Sequence, residues 1–468
     1  MKIVCKTLTA FVILCTISCT STNFRKDLDE KMEANQISEA LEIVNDNKKK
    51  YIKEKNLISF HLDSGILKHL NGDYSDSIKE LQEAEFLIDE AFTRSISDNF
   101  RAAITQNSYR RQYEGEDYEN FYINVFNALN YFHQNDIESA LVEVRKTNEK
   151  LLYLTGEYEA QGNRIREKIT GFLQIPSELN YSNSALARYL GILFYREIDQ
   201  EDSARIEAHE LANAFKDYPS VYNFSVPKAV SLRDDVCDET DIPSGMARLN
   251  ILSFTGLSPV KEVTGNWGEY MDIIETFDTS EQMEKFVSLE PPYVITASRG
   301  NEIDRIVIEI DNGSSFSLDL LEDISMVIKT LSERKEKRIN EIKFNTAFFA
   351  LPVYGMGLGL KVVYQSFFVY PFHWIQWASI NYRTWSDDKL YDYVERNLQK
   401  EYDKSGLDVR MGRFFPARAY SGGINLPPGN YSITVTYYKG AAVMHKERHE
   451  NEQIKENRLN LLQSNYLK

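Results

Sequence analysis

Ser258-Pro259-Val260-Lys261 has the Ser-x-x-Lys spacing of penicillin-recognising enzymes, where a lysine one helical turn on serves a serine nucleophile, and Ser97-Asp98-Asn99 matches their second element. That chemistry needs a helix under the serine and a Lys-Thr-Gly strand beside it. Here the serine follows an expected strand, the second element comes first in the chain and no Lys-Thr-Gly occurs, so a turn at 256–259 is favoured over a nucleophile. Glu114, Glu116, Asp117 and Glu119 crowd around Gly115. Two carboxylates facing one cleft about 5 to 10 Å apart would suit glycoside hydrolysis. The same residues in the first turn of a helix running to about His133 need only the helix dipole to explain them, and that reading is preferred. Gly355-x-Gly357-x-Gly359 has the outline of a phosphate cradle, but the dinucleotide spacing fails at Leu360 and no P-loop lysine follows, so close backbone packing is expected. The seven histidines are scattered, and His445 and His449 lack a His-Glu-x-x-His context, so no metal centre and no cofactor are expected. Cys237 reads as an unpaired loop thiol with no activating neighbour in sequence.

Cys19 carries the one specific covalent chemistry. Lys2 and Lys6 form a short basic region, 7–17 is uncharged and mostly apolar, and Thr16-Ile17-Ser18 places small or aliphatic residues ahead of the thiol. The run is too short to span a bilayer, so 1–18 reads as a signal peptide. The order resembles a bacterial lipobox, with Thr16 where leucine is usual: Cys19 would be acylated and the chain cut before it. Cleavage removes two lysines and moves the net charge from −16 to −18. A surface this acidic repels nucleic acid and, over most of its area, anionic lipid headgroups. Cys5 and Cys15 would leave with the leader, so no disulfide framework is expected.

The elements that must position these groups fall into two halves. After a tether at 19–23, residues 24–225 show apolar residues three and four apart and almost no proline, the pattern of helices. Asn35, Ile37, Ala40 and Val44 recur at the offsets of Asn135, Ile137, Ala140 and Val144. Gly65, Gly72, Tyr74, Leu81 and Ala84 fall at the offsets of a tetratricopeptide helix pair, Ala128 and Tyr131 repeat part of it, and Leu190, Gly191, Tyr195, Ala204 and Ala208 form a looser copy with about one extra residue in the turn. A linker is expected at 226–246, where Pro227, Pro243 and Gly245 flank an acidic stretch. The C-terminal half, 247–468, should carry strands at 248–254, 293–298, 303–310, 315–320, 431–438, 441–446 and 458–466, with helices at 321–343 and 387–403. Between those helices, 344–382 holds only Lys361 as a formal charge and is rich in aromatics, including Tyr370, Trp374, Trp377 and Tyr382. Core or partner-covered surface is favoured there over lipid contact, because prolines and glycines break any spanning helix.

Several stretches together resemble one family. Tyr113, Gly115, Tyr118 and Glu119 lead into Ala128-Leu129-Asn130-Tyr131 and Ala140-Leu141-Val142-Glu143 with Arg145. Ala187-Arg188-Tyr189-Leu190-Gly191, Gly256 to Lys261, Asp408-x-Arg410, Pro416 and Leu426-Pro427-Pro428-Gly429-x-Tyr431 follow. In that order they resemble bacterial envelope lipoproteins of unassigned activity with a tetratricopeptide-like N-terminal half. Met411-Gly412 departs from the pattern, where a small residue and a tryptophan are expected. Members are encoded near lipoproteins similar to activators of peptidoglycan synthases. The resemblance therefore implies a cell-wall or outer-membrane role, and no catalytic residue comes with it.

The expectation is an α+β protein with an all-α tetratricopeptide-like half and a mixed C-terminal half built on an antiparallel sheet. Its expected role is a non-enzymatic scaffold, anchored by lipid on Cys19, facing the periplasm at the outer membrane, and binding an envelope protein or peptide. Tyr113, Tyr118, Glu119, Trp374 and Trp377 are the expected partner contacts. The alternative is a peptidoglycan-acting enzyme using Glu116 and Glu119, or Ser258 and Lys261.

Overall fold

A computed structural model describes residues 23–97, 112–168, 181–264, 293–300, 303–332 and 409–468. Its helical half is punctuated by one repeated turn. Helices α1 (Asn23–Glu33), α2 (Ile37–Asp46), α3 (Lys48–Lys53), α4 (Leu57–Leu70), α5 (Tyr74–Ser97), α6 (Asp117–His133), α7 (Ile137–Lys168), α8 (Ala185–Glu197) and α9 (Glu201–Asp217) follow in order. Asn35, Lys55, Gly72, Asn135 and Asp199 each end a helix with φ between 55° and 84°. In all five turns that residue's N–H bonds the carbonyl three residues back, and the next N–H reaches five back, as Asn135 to Phe132 and Asp136 to Tyr131 do. These bonds satisfy carbonyls that a helix end leaves open, and the left-handed residue reverses the chain. Small residues then let paired helices meet. A Cβ on Gly65 would lie 2.6 Å from Leu81 Cδ2, and one on Gly191 would lie 3.0 Å from Glu207 Cγ.

The C-terminal half is built from β1 (Ala247–Leu257), β2 (Val260–Thr264), β3 (Tyr293–Ala297), β4 (Arg305–Ile310), β5 (Ser315–Ser317), β6 (Asp319–Asp323), β7 (Pro416–Leu426), β8 (Gly429–Lys439), β9 (Ala442–Ile454) and β10 (Asn460–Tyr466). Two four-stranded sheets run β10-β1-β7-β6 and β5-β4-β8-β9, and β2 pairs with β3. The molecule is α+β, and its sheets are antiparallel except that β10 lies parallel to β1.

Strand β1 is buried at every position because both faces are covered. Leu252 and Phe254 join the helical core with Phe126 and Phe415, whereas Leu249 and Ile251 pack with Ile306, Ile308, Ile433 and Val435 of the second sheet. The first sheet is thus the shared wall between helices and second sheet. Helices α4, α6 and α8 are buried along most of their length between this wall and the helices that follow them.

Three departures from the sequence reading have physical causes. β7 was not expected, since Pro416, Ser421, Gly422 and Gly423 disfavour a strand. The glycines are required: a Cβ on Gly423 would lie 2.8 Å from Leu249 O, and one on Gly422 2.9 Å from Leu318 Cδ2. The helix expected from 321 starts at 324, because 319–323 pair with β7 across a bulge. The 226–246 stretch is packed, with a short 3-10 helix at Lys228–Val230 and with Val230, Cys237 and Glu239 buried.

Candidate functional site

The loop 409–415 between the sheet and the helices is where the expected site residues meet. Glu119, in the first turn of α6, accepts from Tyr113 Oη at 2.8 Å, from Glu116 N–H at 2.8 Å and from Gly412 N–H at 2.6 Å. With Glu116 at the N-cap this is a capping box, so the acidic cluster does sit at a helix start. Lys261, on β2, sets its ammonium 2.6 Å from Glu116 Oε1. The two groups of candidate residues, 145 positions apart, are therefore one cluster.

A second carboxylate lies alongside. Asp63 of α4 accepts from Tyr51 Oη at 3.0 Å and from Arg413 N–H at 2.7 Å. The Arg413 guanidinium reaches Asp29 of α1 at 2.7 Å. Arg299 donates through Nε to Ser258 O at 2.7 Å and through its terminal nitrogen to Arg413 O. The Met411-Gly412 departure sits at the centre: a side chain at 412 would press on Leu62 and Phe415, each 3.2 Å from the added Cβ.

Burial sets the electrostatics. It pushes the Glu119 carboxyl up to about 7, helped by the neighbouring Glu116 charge and opposed by its three hydrogen bonds. Asp63 is raised by burial to about 6. Arg299 is lowered to about 10 by burial and by Arg413 beside it. Glu119 is thus a carboxyl that exchanges its proton near neutrality, enclosed by its own chain.

No family model, curated protein or solved structure matches this chain.

The cluster's geometry bears on the alternative catalytic pairing of Ser258 with Lys261. Among the described residues the buried Ser258 Oγ has no hydrogen-bond partner, and the Lys261 ammonium pairs with Glu116 rather than with the serine. Ser258 follows β1 and Lys261 lies in β2, so the two never share a helical turn. Tyr113, Tyr118 and Glu119, the expected partner contacts, are buried against their own chain. Cys237 is a buried free thiol, raised by burial, which disfavours a nucleophile. His445 and His449 both lie on β9, and no three metal-ligating side chains converge among the described residues. Cys19, Trp374, Trp377, Asp98, Asn99, the 344–382 segment with its glycines and the expected helix at 387–403 lie outside the described residues.

Three further junctions escaped the sequence reading. Glu322 of β6 accepts from Tyr122 Oη at 2.6 Å, Ser184 Oγ at 2.8 Å, Tyr222 Oη at 2.8 Å and the Leu186 N–H at 3.1 Å, seating a sheet carboxylate at the start of α8. Glu239 takes a bidentate pair from Arg248 at 2.8 and 2.9 Å, with Arg196 at 2.7 Å and Asn250 at 2.7 Å. Gln463 of β10 bridges His69 of α4 at 2.8 Å and His133 of α6 at 3.0 Å. The signal that could have found them is weak, since Glu322 and Gln463 meet partners 100 or more positions away, and Glu239 and Arg248, nine apart, lie in a turn and in β1.

Proposed function

We propose that the protein is a lipid-anchored, non-enzymatic scaffold of the bacterial cell envelope, held at the outer membrane and facing the periplasm. The observation that carries this reading is Cys19 behind a basic and then apolar leader. The helix pairs and their repeated turn support a tetratricopeptide-like relationship for the N-terminal half. The inner helices are covered by the chain's own sheet, so a partner would meet the outer helices. Phe86 on α5, Leu152 and Tyr153 on α7, and Ile206 on α9 are exposed there. No described helix is long and apolar enough to cross a membrane.

The test is acylation together with partner capture in cells. Palmitate should label the wild-type chain and not Cys19→Ala, and crosslinkers placed at Phe86 and Tyr153 should trap one envelope protein reproducibly. An unlabelled wild-type chain would remove the anchor. Release of soluble fragments from peptidoglycan by the purified protein, abolished by Glu119→Gln or Ser258→Ala, would replace the scaffold with an enzyme.

A further inference from the structure

We propose that the lysine-rich helix α3 docks on an anionic phospholipid bilayer, a second membrane contact beside the lipid on Cys19. The inference rests on the anchored reading above and deepens it. Five of the eight residues from 48 to 55 are lysine, in a chain whose net charge is −16. Only Glu54 within that stretch and Asp46 just before it are acidic, and Glu54 is engaged by Arg25 at 2.5 Å. Lys48, Lys49, Lys53 and Lys55 are exposed. Ile52 in the same stretch is 53% exposed, an apolar side chain next in sequence to Lys53. That combination suits a headgroup region, which takes lysines at the phosphates and an aliphatic group just below.

The position of α3 supplies the second argument. Phe24, next to the start of α1, packs edge-on against Tyr51 with ring centroids 5.8 Å apart, and Lys50 Nζ lies 4.8 Å from the Phe24 ring. Phe24 is five positions after Cys19, so fully extended chain spans at most about 18 Å between them. An acylated Cys19 would therefore hold α3 near the bilayer. Acidic groups more than about 8 Å from α3 are largely screened at physiological salt, so the local lysines weigh most. A local cationic face is what an acidic body on a short tether needs to lie against anionic lipid.

The test uses the full chain with Cys19→Ala, so that no acyl chain contributes, and compares it with the same chain carrying Lys49→Glu and Lys53→Glu. Neither lysine engages a carboxylate among the described residues, and the apolar leader is common to both proteins. Flotation is measured on phosphatidylcholine vesicles with and without phosphatidylglycerol. The Cys19→Ala chain should bind the anionic vesicles about tenfold more tightly than the neutral ones, and the charge-reversed chain should lose that preference. A Lys49→Gln, Lys53→Gln chain should lose part of it, and matching circular dichroism would show that all fold alike. Equal binding by the charge-reversed chain, or no preference for anionic vesicles, overturns the proposal. Palmitate labelling of the wild type is scored separately, so a failed anchor and a failed docking face give different results.

Discussion

Glu239 and Glu119 are both buried carboxylates that fasten the helical half to the sheet half, yet their surroundings drive them in opposite directions. Burial raises each. At Glu239 the guanidinium of Arg248, and then that of Arg196, outweigh burial and hold the carboxyl below its ordinary range. At Glu119 the donors are a phenol and two backbone N–H groups, and the nearest charge is another carboxylate, so burial wins. Equal burial therefore gives a permanent ion in one junction and a proton-exchanging group in the other. The partner's charge decides which.

The largest test of that contrast is Glu239→Gln. It leaves Arg196 and Arg248 facing a neutral amide in a buried site, and unfolding in denaturant should show a loss of about 3 to 5 kcal/mol. A loss below about 1 kcal/mol would mean that the two guanidinia find water instead. Next is the pH dependence of Glu119. Its folded value of about 7 stands above the ordinary 4.5, so the folded state holds the proton more tightly. Stability should fall as pH rises from 4.5 to 7, by up to roughly 3 kcal/mol, and Glu119→Gln should remove that slope. Asp63, raised from 3.8 to about 6, acts in the same direction.

His69 opposes them. Burial lowers it from 6.5 to about 4, so stability is lost as pH falls through that window. In Glu119→Gln the acid-side loss should therefore steepen, which denaturant midpoints between pH 4 and 7 would resolve. The smallest expected effect is Gly65→Ala. Its Cβ would press on the end of the Leu81 side chain, and thermal melting should show about 1 to 2 kcal/mol of destabilisation.

Sequence periodicity located the helix pairs because turn closure is local chemistry. Asn35, Gly72 and Asn135 declare a left-handed residue whatever surrounds them, and Glu116 with Glu119 declare a helix start. Asp199 closes the loosest copy with the same left-handed turn. Strand β7 was hidden because its glycines serve neighbours distant in sequence, Leu249 and Leu318. The buried carboxylates were hidden for a related reason. Glu322 meets Tyr122 from 200 positions away, and in sequence it looks like any solvated acid. A residue type reports its own preferences, whereas a buried charge takes its meaning from whatever the fold brings beside it.

The central claim is that helices and sheets form one cooperative body around the shared wall of β1 and its neighbours. Hydrogen exchange of the full chain carrying Glu239→Gln tests it most directly. The α6 peptide Asp117–His133 contributes no side chain to Glu239 and is the remote reporter, whereas the β10 peptide Asn460–Tyr466 pairs with β1 beside Arg248 and Asn250 and reports the junction itself. Both should lose protection by the same factor, about a hundredfold or more for a loss of 3 kcal/mol. Full protection retained in α6 while β10 exchanges freely would contradict the account, because the halves would then open independently.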